Sequence, residues 1–278
     1  MLIADSGSTK TTWVWIANGE SKRLVTSGIN VHFQSVQQQK EILSETKAWL
    51  NEDTEQLIFY GTGLTSIDTM EAFRELLNDV FDTPKVLEIY TDTVGAARAL
   101  FGQNSGLSCI LGTGASVGLY DGSKLDVRVP ALGFWLGDEG SGAYLGKELI
   151  KAYLRGLLEK EIEVVFDQQY GPLERTAIFE IIKTDSRPNA YFASYTPFVR
   201  QHLKDSKVLQ AIVQKGFEDF VSIYILPYQL TTEDSIGFIG SVGYYFHEEL
   251  KEVLKNKKVL SSVVFVKDPM DGLIAYNM

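Results

Sequence analysis

One pattern occurs twice in this chain, and it limits the available folds more than any other feature. Residues 3–19, IADSGSTKTTWVWIANG, run from a short apolar strand through a turn of glycine and small hydroxylated residues into a second strand ending on Asn18-Gly19. Residues 109–122, CILGTGASVGLYDG, repeat the order of strand, small-residue turn, strand and Asp121-Gly122 hairpin turn. The two align at an offset of about 100 residues, which marks an internal duplication. Two similar halves facing each other would enclose a cleft.

The surrounding periodicities extend the frame. After the first two strands, SKRLVTSG reads as a third, paired through the Asn-Gly turn. Apolar spacing then predicts a helix over 37–50, a strand in QLIFYG, a helix over 68–81, a strand in KVLEIYTD and a short helix in TVGAARALFG. The order is βββαβαβα. In the second half, LDVRV reads as a third strand and residues 147–156 as a helix. A longer helix is predicted over 205–226, with Val208, Leu209, Ile212, Val213, Phe217, Phe220 and Val221 on its buried stripe. From Asp234 onward, DSIGFIGSVGYYFHEELKEVLKN reads as strand, glycine turn and amphipathic helix, and SSVVFV as a last strand.

Composition removes several classes of function. A formal charge of -10 without a long basic cluster opposes binding to nucleic-acid phosphates or anionic membranes. The single cysteine, Cys109, allows no intrachain disulfide and no multi-cysteine metal or iron–sulfur site, and it reads as a buried apolar residue. No apolar run approaches about 18 residues and no leader pattern opens the sequence, so the cytoplasm is the expected compartment.

Glycine-rich turns suit phosphate because backbone amides can converge on an anion without side chains in the way. Three occur: residues 5–12, LGTGAS at 111–116, and GSVG at 240–243. None is a Walker loop, and GTGASVG runs into a strand rather than the helix a dinucleotide fingerprint requires. Together the three turns and the repeat resemble the actin, hexokinase and heat-shock-chaperone superfamily, whose α/β, duplicated ribonuclease-H-like (actin-like ATPase) fold places two domains around a cleft. The resemblance implies an N-terminal domain over 1–103 and a C-terminal domain over 104–278 with a helical insertion at about 150–230. The closing residues either end on the second domain or return to the first. It also implies ATP phosphates held by Ser6, Gly7, Ser8, Thr9, Lys10 and Thr11 and by Gly112, Thr113 and Gly114. Adenosine would meet Gly240, Ser241 and Val242, and Asp5 would hold Mg²⁺ through water.

Within that superfamily the chain is most similar to the N-acetylglucosamine kinase and BadF/BadG-type ATPase family. LGFWLGDEGSGAYLGKE at 132–148 looks like the family's G-W-G…G-D-E-G-S segment, which places Asp138 against sugar hydroxyls; a helix cap is the structural alternative. IYTDTVGAARAL resembles the segment carrying the family's catalytic base, which makes Asp92 both base and substrate contact, with an N-cap role compatible. SGINVHF adds Asn30 as a sugar contact and YGTG adds Thr62, while Thr113 and Ser116 face the substrate side of the second loop. His32 reads as a surface or packing residue. Ala115 stands where the family commonly has serine, which leaves recognition of the N-acetyl group open. The resemblance implies an ATP- and Mg²⁺-dependent kinase of N-acetylglucosamine, acting on a primary hydroxyl, with small-molecule partners and room for a homodimer. Another hexosamine, an ATPase role or a sugar sensor are its alternatives.

Overall fold

The computed structural model describes residues 1–50, 52–185 and 187–278; Asn51, and Ser186 within the expected helical insertion, lie outside the described residues. The chain divides into two compact units. The first holds Met1–Asn104, Asp121–Leu125 and Asp268–Met278, and the second holds Ser105–Tyr120 and Asp126–Lys267.

The first unit begins with β1 (Leu2–Ser6), β2 (Lys10–Ala17), β3 (Glu20–Ser27), α1 (Val36–Leu50), β4 (Gln56–Gly61), α2 (Ile67–Val80), β5 (Val86–Thr91) and α3 (Asp92–Phe101), the order the periodicities predict. Its sheet runs β3-β2-β1-β4-β5, with β1 antiparallel to β2 and parallel to β4. Asn18 and Gly19 take positive φ angles of 51° and 80°, the backbone that a tight hairpin matched to strand twist requires. Side chains alternate between faces. Leu2, Ala4, Trp13 and Trp15 pack with Leu43, Phe73 and Leu77 of α1 and α2, while Ile3 and Val14 belong to a separate cluster. Apolar layers on both faces explain why β1 and β2 read as near-continuous hydrophobic runs.

The second unit carries β6 (Gly106–Leu111), β7 (Ala115–Tyr120), the Asp126 end of β8 (Leu125–Asp126), α4 (Gly133–Leu136), α5 (Gly142–Leu154), α6 (Lys160–Tyr170), α7 (Arg175–Thr184), α8 (Pro188–Ala193), α9 (Thr196–His202), α10 (Lys207–Phe220), β9 (Ser235–Ile239), α11 (Ser241–Tyr245), α12 (His247–Asn256) and β10 (Ser262–Val266). The sheet order is β10-β9-β6-β7-β8. Leu107, Cys109 and Leu111 of β6 join Leu145 and Leu149 of α5 and Val213, Phe217 and Phe220 of α10 in one core. Burial there pushes the Cys109 thiol well above its ordinary pKa, so it is an inert core group.

Two expected elements are shorter. The helix anticipated over 205–226 starts at Lys207, capped by Ser206, and yields after Phe220 to a π-helical turn (Val221–Ile225) and a 3₁₀ turn (Leu226–Tyr228). Pro227 lacks the amide hydrogen that continued α-helix would need. The strand anticipated in LDVRV ends at Asp126, because the Arg128 amide donates 3.0 Å to the Tyr228 hydroxyl instead of to a ladder partner.

After β10 the chain supplies α13 (Met270–Asn277) to the first unit. Met270 and Leu273 cover Ile3, Val14, Ile58 and Tyr60 on the sheet face away from α1 and α2. The Arg98 guanidinium lies 3.8 Å from the Tyr90 ring and 4.8 Å from the Tyr276 ring and donates 3.1 Å to the Tyr60 hydroxyl. The backbones of α13 and α3 meet closely at Gly272, where a Cβ would come within 2.3 Å of the Ala99 carbonyl oxygen on α3. Alanine for glycine inside a helix ordinarily gains about 0.5–1 kcal/mol. Here Gly272→Ala is expected to reverse that sign and cost at least about 2 kcal/mol in urea unfolding, through forced separation of α13 from α3.

Candidate active site

In the first unit the site is built at strand ends. Parallel pairing sets Ser6 level with Gly61, and Gly61 level with Thr91, so Asp5-Ser6, Gly61-Thr62 and Thr91-Asp92 emerge from one edge of the sheet. The Thr62 amide donates 3.0 Å to the Ser6 carbonyl and extends this ladder by one step. Asp92 is the first residue of α3, but the helix cap is Thr91, whose hydroxyl accepts from the Val94 amide. The Asp92 carboxylate is therefore not spent on capping at the position expected. It accepts 2.8 Å from the Thr93 amide and receives the Thr62 hydroxyl. Burial raises its pKa, and these two donors act against the rise by favouring the ionised form.

Asp5 lies nearby and is pushed up to about 7, first by burial and then by the fields of Asp268 and Asp92, with Lys10 opposing. The hairpin between β1 and β2 is braced from beneath. Ser6 and Thr11 are fully buried, their oxygens 2.7 Å apart, and the Ile29 amide donates 3.1 Å to Ser6 Oγ. Their hydroxyls thus serve the turn itself. Gly28 backs the same turn so closely that a Cβ would fall 2.2 Å from the Gly7 carbonyl oxygen. Lys10, at the outer end of the hairpin, pairs with Asp268 at 3.1 Å. Asn30 is buried; its Nδ2 donates 3.1 Å to Ser8 Oγ and its Oδ1 accepts 3.0 Å from the His32 amide. Gly63 leaves room for Asn30, since a Cβ there would meet Asn30 Oδ1 at 2.9 Å. The first unit therefore gathers Asp5, Ser8, Asn30, Thr62 and Asp92, and leaves the His32 side chain exposed.

The second unit gathers the other predicted residues. The loop Gly112-Thr113-Gly114 closes on itself, with the Gly112 amide donating 3.0 Å to the Gly114 carbonyl. The first amides of α5 hold its outer carbonyls: Gly142 donates 2.8 Å to Gly112 and Ala143 donates 3.1 Å to Thr113. Gly240, at φ 116°, would bring a Cβ within 2.7 Å of the Leu111 carbonyl oxygen, so the turn before Ser241 and Val242 lies directly against this loop. Ser116 sits in β7 opposite Ile110.

Asp138 lies beneath the same loop. Its Oδ1 accepts 3.2 Å from the Ala115 amide, and its Oδ2 would be 3.1 Å from a Cβ on Gly114. Ser141, not Asp138, caps α5 by accepting from the Tyr144 amide. Asp138 holds the left-handed φ of 60°, a conformation aspartate tolerates better than most side chains. Burial pushes its carboxyl up to about 6, Glu139 adds to the rise, and the Ala115 amide and Lys147 oppose it. Glu139 accepts 2.7 Å from Tyr224 Oη, which the π-helical turn presents. Tyr224 and Asp268 stand in no recognisable sequence pattern, and within SGINVHF and YGTG the motifs single out Asn30 and Thr62 but not the neighbouring Gly28 and Gly63.

A solved structure from Porphyromonas gingivalis, named "Putative N-acetylglucosamine Kinase", is 37% identical to this chain, covers 100% of it and 98% of its own length, and superposes with a TM-score of 0.91. The chain belongs to the N-acetylglucosamine kinase and BadF/BadG-type ATPase family. A second structure so named, from Chromobacterium violaceum, is 18% identical over 100% of this chain and 99% of its own, with a TM-score of 0.76, and shows the fold alone. No protein-family model and no curated protein matches the sequence. The family's duplicated ribonuclease-H-like architecture is thus the architecture of this chain.

The raised Asp138 pKa has a signed consequence. The native state holds this proton more tightly than the unfolded chain, so its contribution to stability is lost as pH rises from about 4 through about 6. Asp138→Asn keeps an oxygen for the Ala115 amide and removes the ionisation. Between pH 4 and about 7, wild-type unfolding free energy is expected to fall by up to about 3 kcal/mol more than that of the variant, read by urea titration at each pH.

Proposed function

We propose that the protein is an ATP-dependent amino-sugar kinase whose acceptor is a primary hydroxyl of N-acetylglucosamine. The observation that carries this reading is Asp92: a carboxylate at a strand end, not used as a cap, whose ionised form is held by Thr62 and Thr93. Membership of the family supports it.

In this reading Asp92 accepts the proton of the sugar hydroxyl as the oxygen forms its bond to the γ-phosphorus and the bond to the ADP oxygen breaks. Thr62 and the Thr93 amide keep Asp92 oriented and ionised through that step. In the first unit Asn30, Thr62 and Asp92 are the candidates for sugar hydroxyls; in the second, taken by itself, Thr113, Ser116 and Asp138 are. Asp138 is fixed by one bond to the Ala115 amide and keeps lone pairs for two hydroxyl donors. In the first unit Gly7, Ser8, Thr9 and Lys10 are the candidates for phosphate oxygens, with Ser6 and Thr11 bracing the hairpin from within; in the second unit the candidate is the Gly112–Gly114 loop. Gly240, Ser241 and Val242 take the adenosine side.

Asp5 suits Mg²⁺ held through water. It is a partly buried carboxylate facing the negative fields of Asp268 and Asp92, a surplus that a divalent cation would neutralise. Among the described residues no group of three or more His, Cys, Asp or Glu side chains forms a metal site by itself. When bound, Mg²⁺ would offset charge on the transferring phosphoryl group. Among the described residues no helix is long and apolar enough to cross a membrane.

ADP release with Mg-ATP is expected to rise strongly with N-acetylglucosamine, and less with glucosamine, glucose or N-acetylmannosamine. Asp92→Asn should lower kcat by about 100-fold or more and leave the sugar KM within about threefold. An unchanged kcat would remove Asp92 from the chemistry, and hydrolysis indifferent to every sugar would remove the kinase reading.

A further inference from the structure

One buried side chain that lies outside every motif meets three consecutive residues of the segment carrying Asp138. The Tyr224 hydroxyl donates 2.7 Å to Glu139 Oε2. The Asp138 backbone amide acts on the same oxygen as a hydrogen-bond donor. A Cβ added to Gly137 would stand 3.1 Å from it. A phenol hydroxyl donates once and also accepts, so a single atom can serve the Asp138 amide and the Glu139 carboxylate together.

The segment needs such a hold. Asp138 keeps a left-handed φ of 60°, and a residue with a side chain persists there only where its surroundings over-determine it. Its carbonyl accepts 3.0 Å from the Ser141 amide, and its Oδ1 accepts 3.2 Å from the Ala115 amide. Those two bonds fix the carbonyl and the carboxylate; Tyr224 fixes the remaining amide. The support is itself firm. The Tyr224 ring packs 5.5 Å from the ring of Phe220, and a Cβ on Gly140 would come within 3.0 Å of the Gly216 carbonyl oxygen and 3.1 Å of Phe220 Cβ. Residues 137–140 are thus moulded on α10 and on the π-helical turn that presents Tyr224. Departures from α-helix of this kind are frequent at functional sites.

Asp138 and Glu139 are adjacent carboxylates, and a ligand hydroxyl could be met by either if the backbone between them turned. Oε2 of Glu139 is committed to the phenol, whereas Asp138 keeps lone pairs beyond its one bond to Ala115. We propose that Tyr224 is a positioning residue: its hydroxyl fixes residues 137–139 so that the carboxylate offered to sugar hydroxyls is that of Asp138 and not that of Glu139. The inference rests on the kinase reading, with Asp138 as a sugar contact, and adds to it the group that acts through Asp138.

Tyr224→Phe keeps the ring and its packing and removes the hydroxyl. With ADP release measured against varied N-acetylglucosamine and varied ATP, this variant should raise the sugar KM about tenfold, leave the ATP KM within about twofold and hold kcat within about threefold. A hydroxyl that served stability alone would shift the urea midpoint and leave the sugar KM of the folded enzyme where it was. The double variant isolates the route. In an Asp138→Asn background, Tyr224→Phe should lower kcat/KM for the sugar by less than about threefold, because the carboxylate it positions is gone. A sugar KM unchanged by Tyr224→Phe, or a full tenfold effect that persists in the Asp138→Asn background, would overturn the positioning role and leave the kinase standing. A wild type whose ADP release ignores every sugar would overturn both readings together.

Discussion

Parallel strands finish side by side, and a side chain just beyond the end of one strand therefore falls next to those just beyond its neighbours. The pairing of β1 with β4 and of β4 with β5 uses this three times, setting Asp5, Thr62 and Asp92 along one edge. A slip of one residue in β4 would turn Leu57 and Phe59 away from α1 and α2 to the opposite face and carry Thr62 away from Asp92. The hydrophobic pattern and the site are thus fixed by the same register. In the second unit β6 runs parallel to β9 with Ile110 level with Ile239, which brings Gly112 and Gly240 out beside each other. Ligands of open α/β sheets collect at such carboxyl ends because loops there can vary while the strands stay fixed.

The buried carboxylates of each unit are costly to keep. Asp5, Asp92 and Asp138 all have raised pKa values, and in each the first cause is burial. A fold selected for stability alone would have no reason to hold three partly desolvated carboxylates; functional sites commonly retain such groups at the expense of stability. Their support is local and economical in bonds. Asp138 has one backbone donor, Asp92 has the Thr93 amide, its own amide and the Thr62 hydroxyl, and Asp5 has the field of Lys10.

Much of the fold was legible because its signals are short-range. The Asn18-Gly19 hairpin, the βββαβαβα order and the strand–turn–strand repeat all follow from residues within a few positions of one another. The failures came where a distant partner decided the outcome. Arg128 leaves the expected strand because Tyr228 takes its amide, and the helix after Phe220 loosens ahead of Pro227. At the site, motifs located Asp92, Asp138 and the glycine loops, yet both alternative capping roles dissolved once Thr91 and Ser141 were seen to cap. Gly28 and Gly63 stand within SGINVHF and YGTG, but why each must be glycine could not be read from sequence, because the neighbour that excludes a side chain is one the fold brings in: Gly7 in one case and Asn30 in the other.

The first unit is not one stretch of chain. Its outer sheet face, formed by Ile3, Val14, Ile58 and Tyr60, is covered by Met270 and Leu273, which are synthesised only after the whole of the second unit. On the ribosome that face has no native cover while residues 105–267 are being made, and a nascent first unit must wait with apolar surface exposed. The second unit can complete its own core earlier, since β6 through β10 and their helices precede Asp268. The order of maturation is therefore the reverse of the order of translation: the unit whose strands are made first is the last to close.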